Sequence, residues 1–335
     1  MKTYKETMEA LHYTDAQKQR LARIVLDAAA AEKKPRRVPL RTALLAAGIA
    51  AALCVGAGAT GALKTAVEAF GGFFGKETAQ TEVIDRIGRP LNASDTVDGI
   101  TITADAIMGD SRNICVVFSI FREDGTPLLP EGVDASQVYA VPIMDLGTGW
   151  GSSSTCLDSD PADASIQCIT ALTADEMLQD VTARVEFRGL GYCGENGEDQ
   201  VLSKKTWKLK FELDYEDLSR SYGSGESCTL ADRSVVIDDI TLSPLAVTVN
   251  FSVPWENPAA EPTGAEAQAI SRTFKAVTIL LTLKDGTVLD FSSTGGSMTP
   301  REGVTCGTKG VVFDTTIPFE DMESLSVAGV VYEIE

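Results

Sequence analysis

A stretch of 22 residues without a charged side chain, Thr42 to Leu63, constrains this chain more than any other feature. As a helix it would measure about 33 Å at ~1.5 Å per residue, which matches the ~30 Å hydrocarbon core of a bilayer. Five basic residues closely precede it: Lys33, Lys34, Arg36, Arg37 and Arg41. Because positive charge is retained on the cytoplasmic side, the sequence predicts one membrane span with a cytoplasmic N-terminus.

Formal charge is divided unevenly about this stretch. The chain of 335 residues carries 29 Lys and Arg against 48 Asp and Glu, a net charge of −19. Residues 1–41 contribute +5, so the remainder carries −24. So acidic a body disfavours direct binding of nucleic acid and of anionic wall polymers, because like charges repel. The sequence therefore predicts a basic arm inside the cell and an acidic body outside it.

The uncharged stretch is rich in Ala and Gly, so a cleaved signal peptide is an alternative to a permanent anchor. The triplet Ala57-Gly58-Ala59 resembles a cleavage site. Against cleavage stands an N-terminal region of about forty residues, which is far longer than a signal sequence needs. We expect the anchor, with a transmembrane helix over residues 38–63 and the lipid bilayer as its surroundings.

An amphipathic connector is predicted over residues 64–80. Its apolar residues Val67, Phe70, Phe73 and Phe74 recur at helical spacing. Two interpretations stay open, because a helix of this kind can lie on the outer leaflet or pack against the first folded domain.

Residues 1–37 are predicted to form a cytoplasmic helical segment. Thr14-Asp15-Ala16-Gln17 matches a capping box, which starts a helix. That helix places Leu21, Ile24 and Val25 on one apolar face. Two helices in about thirty residues bury too little surface to be stable alone, so the face needs a partner. We expect a protein partner, and a basic helix lying on anionic lipid is the alternative.

Beyond the connector, short alternating or β-branched runs bounded by Gly, Pro, Asp and Asn predict strands. Two similar sequence phrases occur, over residues 113–120 and over residues 246–253. The repetition predicts two immunoglobulin-like β-sandwich domains, over residues 81–218 and 219–335. The second carries an insertion over 255–274. The predicted fold class is mainly β, behind an N-terminal helical segment and one transmembrane helix.

Several elements together resemble one known family. They are the N-terminal helix, the basic flank, the span, the amphipathic helix, Gly99-Ile100-Thr101-Ile102 followed by Asp110, and Ile240-Thr241-Leu242-Ser243-Pro244. Over essentially its whole length the chain is similar to the single-pass membrane family of Gram-positive bacteria that carries domain of unknown function 4179, followed by a related immunoglobulin-like domain.

The resemblance implies an anti-sigma factor, whose cytoplasmic segment would hold an extracytoplasmic-function sigma factor. We expect the exported part to bind an extracellular or cell-wall ligand. Many anti-sigma factors use a His-x-x-x-Cys-x-x-Cys zinc site, which is absent here because His12 has no nearby cysteine. The alternative function is a cell-surface adhesion or structural module, for which the N-terminal segment is only an anchor.

Catalytic and metal-binding patterns are lacking in the sequence. The single histidine precedes the span, so histidine-based triads and metal sites cannot form in the acidic body. We therefore predict no enzyme, no cofactor and no metal. Disulfides would suit an exported body, and the candidate pairs are Cys156 with Cys168 and Cys228 with Cys306. Free thiols are the alternative, because connectivity cannot be read from sequence.

Overall fold

The computed structural model describes residues 65–75, 78–158, 164–178, 181–194, 197–223, 225–254, 264–301 and 303–335. The predicted cytoplasmic segment and span therefore lie outside the described residues. The same holds for the apolar face of that segment, Leu21, Ile24 and Val25, and for the basic flank, Lys33, Lys34, Arg36, Arg37 and Arg41. Residues from Thr65 onward belong to one compact unit. Among the described residues, no helix combines the length and apolarity that crossing a bilayer requires.

The described part of the chain is mainly β, as predicted, with several antiparallel sheets. Its first strands are β1 (Arg89–Val97), β2 (Ile100–Gly109), β3 (Asn113–Arg122), β4 (Val138–Tyr139), β5 (Pro142–Asp145), β6 (Trp150–Leu157), β7 (Ile166–Ala174), β8 (Thr182–Cys193) and β9 (Asp199–Glu212). Sheet A has the order β1-β2-β3-β7-β6. In sheet B, β8 pairs with β9 along one edge and with β5 and then β4 along the other.

The remaining strands form sheets C and D. They are β10 (Arg220–Tyr222), β11 (Glu226–Leu230), β12 (Arg233–Leu242), β13 (Ala246–Pro254), β14 (Ile279–Leu283), β15 (Val288–Asp290), β16 (Gly296–Arg301), β17 (Val304–Val312), β18 (Met322–Val327) and β19 (Val330–Glu333). Sheet C has the order β10-β12-β13-β17-β16, with β11 also paired to β12, and sheet D has the order β15-β14-β18-β19.

Helices are few in the described part. Helices α1 (Ala66–Phe74) and α2 (Thr78–Ile87) precede the strands, and α3 (Gly264–Ala276) lies between β13 and β14. Helix α3 occupies the second half of the predicted insertion.

Tight turns set the register of the hairpins. Asp98 and Gly99 connect β1 to β2, and both have positive φ, 58° and 72°. Two consecutive residues with positive φ form the turn whose twist matches that of paired strands. Because Asp and Gly adopt this conformation at low cost, Val97 and Ile100 become direct partners at the end of the hairpin.

The repeated sequence phrase corresponds to equivalent hairpins, β2–β3 and β12–β13. In each, one residue interrupts the pairing register of the first strand. That residue is an aspartate in both hairpins, and a serine of the second strand donates to it at 2.5 Å. The pairs are Ser119 Oγ with Asp105 Oδ2 and Ser252 Oγ with Asp238 Oδ2. The two serines occupy the same position in the repeated phrase, so the likeness extends from sequence to side-chain contacts.

Sheets A and B enclose the first core. Phe118 of β3 and Phe187 of β8 pack edge to face, with ring centroids 5.0 Å apart. Trp207 of β9 is 0% exposed, and its Nε1 donates to the backbone oxygen of Ile100 at 2.8 Å. This bond satisfies the buried indole N–H and ties sheet B to the start of β2.

Sheets C and D enclose the second core, which contains a buried cation. Lys309 of β17 is 1% exposed. Its Nζ donates to the backbone oxygens of Val277 at 2.7 Å and Ser292 at 2.5 Å, and lies 5.6 Å from the centroid of the Phe274 ring. Burial lowers the pKa of Lys309, while the charge of Asp290 opposes this shift. The lysine thus connects β17 to segments that flank β14 and β15.

Helix α1 begins at a capping box. The Thr65 hydroxyl accepts from the backbone N–H of Glu68 at 3.2 Å, and the Glu68 carboxylate accepts from the Thr65 backbone N–H at 2.7 Å. Thr65 itself has extended backbone angles, φ −66° and ψ 158°. Helix α1 therefore begins at Thr65, because an N-cap residue has non-helical backbone angles.

A third core joins α1 and α2 to the face of sheet A that points away from the first core. Phe70 and Phe74 of α1 pack there with Met108 of β2, and Leu245 from the turn between β12 and β13 belongs to the same cluster. The connector was predicted either to lie on the outer leaflet or to pack against the first folded domain. In the structure, α1 packs against sheet A. Phe70 and Phe74 are buried, so they are not available to a membrane leaflet, whereas Val67 and Phe73 are half-buried.

Candidate functional site

Asp110 lies in the turn that connects β2 to β3, and its side chain is 0% exposed. Its Oδ1 accepts hydrogen bonds from the backbone N–H groups of Arg112 at 2.8 Å and Asn113 at 2.7 Å. Asn113 Nδ2 donates to the same oxygen at 3.0 Å. These bonds hold the turn closed, because a short acidic side chain can pair with donors two and three residues further on.

The other carboxylate oxygen of Asp110 reaches sheet C. Ser243 Oγ, in the turn between β12 and β13, donates to Asp110 Oδ2 at 2.6 Å. The same Oγ accepts from the backbone N–H groups of Leu245 at 3.1 Å and Ala246 at 3.0 Å. One carboxylate and one hydroxyl therefore join two turns that are 133 residues apart in the sequence.

Asn113 extends this contact along the strands. Its Nδ2 donates to Thr248 Oγ1 of β13 at 3.2 Å, and its Oδ1 accepts from Thr173 Oγ1 of β7 at 2.8 Å. We name the five side chains of Asp110, Asn113, Thr173, Ser243 and Thr248 the joint. The joint links the outer faces of sheets A and C through buried or half-buried polar groups.

Tyr215, which follows β9, covers the joint. Its hydroxyl donates to the backbone oxygen of Asp110 at 2.9 Å. Gly109 permits this approach, since a Cβ there would lie 2.7 Å from the Tyr215 Cζ. Tyr215 lies in the acidic run Asp214-Tyr215-Glu216-Asp217, and its partner more than a hundred residues earlier in the chain explains its position.

Burial dominates the electrostatics of the joint. Removal from solvent raises the pKa of Asp110, although hydrogen bonds from Ser243, Arg112 and Asn113 favour the carboxylate and oppose the rise. Burial, followed by the nearby charge of Asp110, also raises the pKa of Tyr215. The joint is therefore a desolvated polar contact in which hydrogen bonds offset part of the cost of burying the Asp110 carboxyl group.

A cleft of about 650 Å³ opens beside the joint, between the outer faces of sheets A and C. Strands β6 and β7 form one wall, β16 and β17 form the other, and α1 contributes Phe73 and Phe74. Ser297 Oγ of β16 donates to Asp175 Oδ1 at 3.1 Å, a contact between the two walls. The volume lies in the range of sites that bind small ligands. This cleft is the candidate binding site of the described part of the chain.

The first candidate cysteine pair is bonded in the structure. Cys156 of β6 and Cys168 of β7 are direct partners on neighbouring strands, and their Sγ atoms form a disulfide. The bond lies at the free edge of sheet A, on the side of the first core.

The second candidate pair, Cys228 with Cys306, is not formed, and both side chains are free thiols. Cys228 of β11 lies opposite Val235 on β12, whereas Cys306 of β17 lies opposite Ser252 on β13. Three strand spacings of about 4.8 Å thus separate the two cysteines, roughly 14 Å in all. A disulfide requires Cα atoms within about 7 Å, so this expectation was wrong.

Reduction of the Cys156–Cys168 disulfide should lower the free energy of unfolding by about 2–3 kcal/mol, because the bond closes a short loop and restricts the unfolded chain. Thermal unfolding with and without a thiol reductant measures the difference. The double variant Cys156→Ser with Cys168→Ser is the control, and it should unfold like the reduced protein under both conditions. Identical midpoints for the oxidised and reduced protein would contradict the prediction.

Metal-binding clusters do not occur in the part of the chain that the structure describes, where no three His, Cys, Asp or Glu side chains come together. The residues of the joint and of the cleft were not identified as sites from the sequence. Asp110 and Ser243 did lie in the segments that carried the family resemblance, which was the single signal pointing to them.

The sequence matches no protein-family model, and no curated protein is similar to it. Among solved structures, a chain described as the conserved domain protein from Bacillus anthracis is similar at 13% identity, with a TM-score of 0.46. The match covers 71% of this chain and 75% of that chain. At this TM-score the likeness carries no argument about function.

Proposed function

We propose that this chain is a single-pass membrane regulator, an anti-sigma factor with an exported binding region. In this proposal residues 1–37 bind an extracytoplasmic-function sigma factor, and residues 38–63 cross the membrane. The acidic body that follows is exported and binds an extracellular or cell-wall ligand. The charge balance of +5 before the uncharged stretch and −24 beyond it supports this orientation.

The observation that carries the proposal is the start of α1. Its N-cap, Thr65, comes two residues after the uncharged stretch, and the helix then packs into the third core. If that stretch spans the membrane, the folded body is held at the bilayer surface by a packed helix and not by a long linker. A change at the exported body would then reach the span directly, which suits a regulator.

We also infer that the exported body consists of two immunoglobulin-like β-sandwich domains, over residues 81–218 and 219–335. Separate cores between sheets A and B and between sheets C and D support this division. The equivalent hairpins with their aspartate–serine pairs support the relationship between the domains. The joint would make them move as one body, since buried hydrogen bonds are costly to leave unmade.

The test is co-purification of the full chain, in detergent micelles, with the sigma factor encoded nearest to its gene. Replacing the apolar face by Leu21→Ser with Ile24→Ser should reduce the retained sigma factor about tenfold, because interface energy concentrates in few buried side chains. The matched control, Arg20→Ser with Arg23→Ser, alters the charged face of the same predicted helix and should retain the sigma factor. No retention by the unaltered chain would refute the anti-sigma assignment.

The second candidate is a cell-surface adhesion or structural module. The observation that favours it is the closely tied pair of sheet assemblies, which suits a passive scaffold as well as a sensor. Deleting residues 2–31 separates the two functions. Unchanged transcription of sigma-dependent genes with intact surface display favours the module, whereas released transcription favours the regulator.

A further inference from the structure

We propose that the cleft between sheets A and C binds an extended peptide that carries lysine or arginine side chains. The proposal names the chemical class of the exported ligand. It rests on the proposed function in one respect: the ligand is met outside the cell, where that function places the acidic body. Three properties of the cleft support it: its charge, its aromatic and glycine lining, and the strand edges that border it.

Charge favours a cationic ligand. The cleft is lined by the exposed carboxylates of Asp175 and Asp314, and none of the described lining residues is a lysine or arginine. Asp175 is fixed in place, because Ser297 Oγ donates to its Oδ1 and Arg112 donates to its backbone oxygen at 2.8 Å. The acidic body around the cleft would also steer cations toward it and repel anions.

The lining combines aromatic rings with small residues. Trp150 is half-buried, and its Nε1 donates to the backbone oxygen of Met144 at 2.8 Å, which fixes the ring. Phe73 of α1 is also half-buried at the cleft. Gly151 and Gly295 leave space, since a Cβ at either position would meet nothing within 4 Å. Such a surface accepts apolar side chains and lets a cationic side chain lie over an aromatic ring.

Strand edges on both walls favour a peptide over other cationic ligands. Strand β6 is the end strand of sheet A, and β16 is the end strand of sheet C. Within the described strands, β6 pairs with β7 alone and β16 pairs with β17 alone. Backbone groups on the outward edges can therefore pair with an extended peptide, except where β4 lies beside β6 and at Pro300 of β16, which has no N–H.

Binding at this cleft would contact the helix nearest the predicted span. Phe73 and Phe74 belong to α1, and Phe74 is also part of the third core. A bound peptide would thus touch the helix that fixes the folded body to the N-terminal part of the chain. A ligand in this cleft would meet both walls and α1 together.

The experiment measures binding of two labelled, capped pentapeptides to the full chain in detergent micelles by fluorescence anisotropy. One alternates Arg and Phe, and the other replaces each Arg by Glu. We expect the Arg peptide to bind about tenfold or more tightly than the Glu peptide. The variant Asp175→Asn with Asp314→Asn should weaken the Arg peptide about fivefold and reduce its salt dependence, because two carboxylates are neutralised.

Blocking variants locate the site. Gly151→Trp and, separately, Gly295→Trp should each weaken the Arg peptide about tenfold by occupying the cleft. Val331→Trp is the control, because Val331 is exposed on β19 of sheet D, away from the cleft lining and from the strand edges beside it, and this variant should bind as the unaltered chain does. Circular dichroism confirms that each variant is folded.

The proposal is overturned if the Arg peptide does not bind, if both peptides bind equally, or if folded blocking variants bind as tightly as the unaltered chain. Co-purification of the sigma factor is measured on the same preparations. Retained sigma factor without peptide binding would refute the ligand class and leave the proposed function standing. Peptide binding without retained sigma factor would refute the anti-sigma assignment and leave the ligand class standing.

Discussion

Replacing Asp110 with alanine should lower the free energy of unfolding by about 2–4 kcal/mol and loosen the contact between sheets A and C. The substitution removes the Asp110 acceptor from the Ser243 hydroxyl and from the buried Asn113 amide, which keeps its bond to Thr248, and it opens the turn before β3. Each buried donor left unpaired costs about 1–3 kcal/mol, and relief of the desolvated carboxylate offsets part of that loss. Chemical denaturation followed by circular dichroism measures the change.

A double-mutant cycle with Ser243→Ala isolates the contact across the joint. We expect a coupling energy of about 1–2 kcal/mol between Asp110 and Ser243, because residues in one buried network are not independent. Ser252→Ala is the matched control: its hydroxyl also donates to an aspartate, Asp238, but in an exposed pair within one sheet. That variant should lose less than about 1 kcal/mol. Strict additivity of Asp110→Ala and Ser243→Ala would show that the joint does not couple the sheets.

Asp110 should also give stability a characteristic pH dependence. Burial raises its pKa in the folded protein above the value of about 3.9 in an unfolded chain, so the folded state binds the proton more tightly. Its contribution to stability is therefore fully present below the unfolded pKa and declines as pH rises through the folded pKa.

The variant Asp110→Asn does not titrate at this position. The unfolding free energy of the unaltered chain minus that of the variant should therefore fall as pH rises from about 4. Denaturant titrations at a series of pH values measure this difference. A difference that rises with pH would mean that hydrogen bonding outweighs burial at Asp110.

Trp207→Ala should be the most damaging single change in the first core, with a loss of about 3–5 kcal/mol. The indole is completely buried between sheets A and B, so truncation leaves a large cavity. It also leaves the buried backbone oxygen of Ile100 without the Nε1 donor. The denaturant midpoint, followed by circular dichroism because tryptophan fluorescence changes with the substitution, should fall accordingly.

Trp150→Ala is the matched control for this prediction. Its Nε1 also donates to a backbone oxygen at 2.8 Å, that of Met144, but the ring is half-buried at the cleft. Less apolar area returns to water on truncation, so we expect a loss of about 1–2 kcal/mol. Equal losses for the two variants would contradict the central role given to Trp207.

Sequence patterns predicted the elements of this fold well where the signal is local. Alternation of apolar residues identified the strands, and the repeated phrase identified β3 and β13 as equivalent before either was placed in a sheet. The helical spacing of Phe70 and Phe74 predicted α1 but left its partner open. Periodicity reports which face of an element is apolar, whereas the surface that covers this face depends on residues elsewhere in the chain.

The candidate sites required contacts that no local pattern contains. Asp110 meets Ser243 across 133 residues, and the cleft is lined by residues from the outer faces of two sheets and from α1. The two candidate cysteine pairs also depended on tertiary structure. Cys156 and Cys168 lie on strands that neighbour each other in space, but strand order keeps Cys228 from Cys306.

By itself the sequence determined the uncharged stretch, the division of charge about it, the mainly β character and the internal repeat, because each depends on composition and short-range periodicity. Tertiary structure alone decided that α1 packs on sheet A, that one buried carboxylate joins two distant turns, and that an acidic cleft opens beside them. The physical reason is that desolvation and hydrogen-bond complementarity act between groups brought together by folding, whatever their separation along the chain.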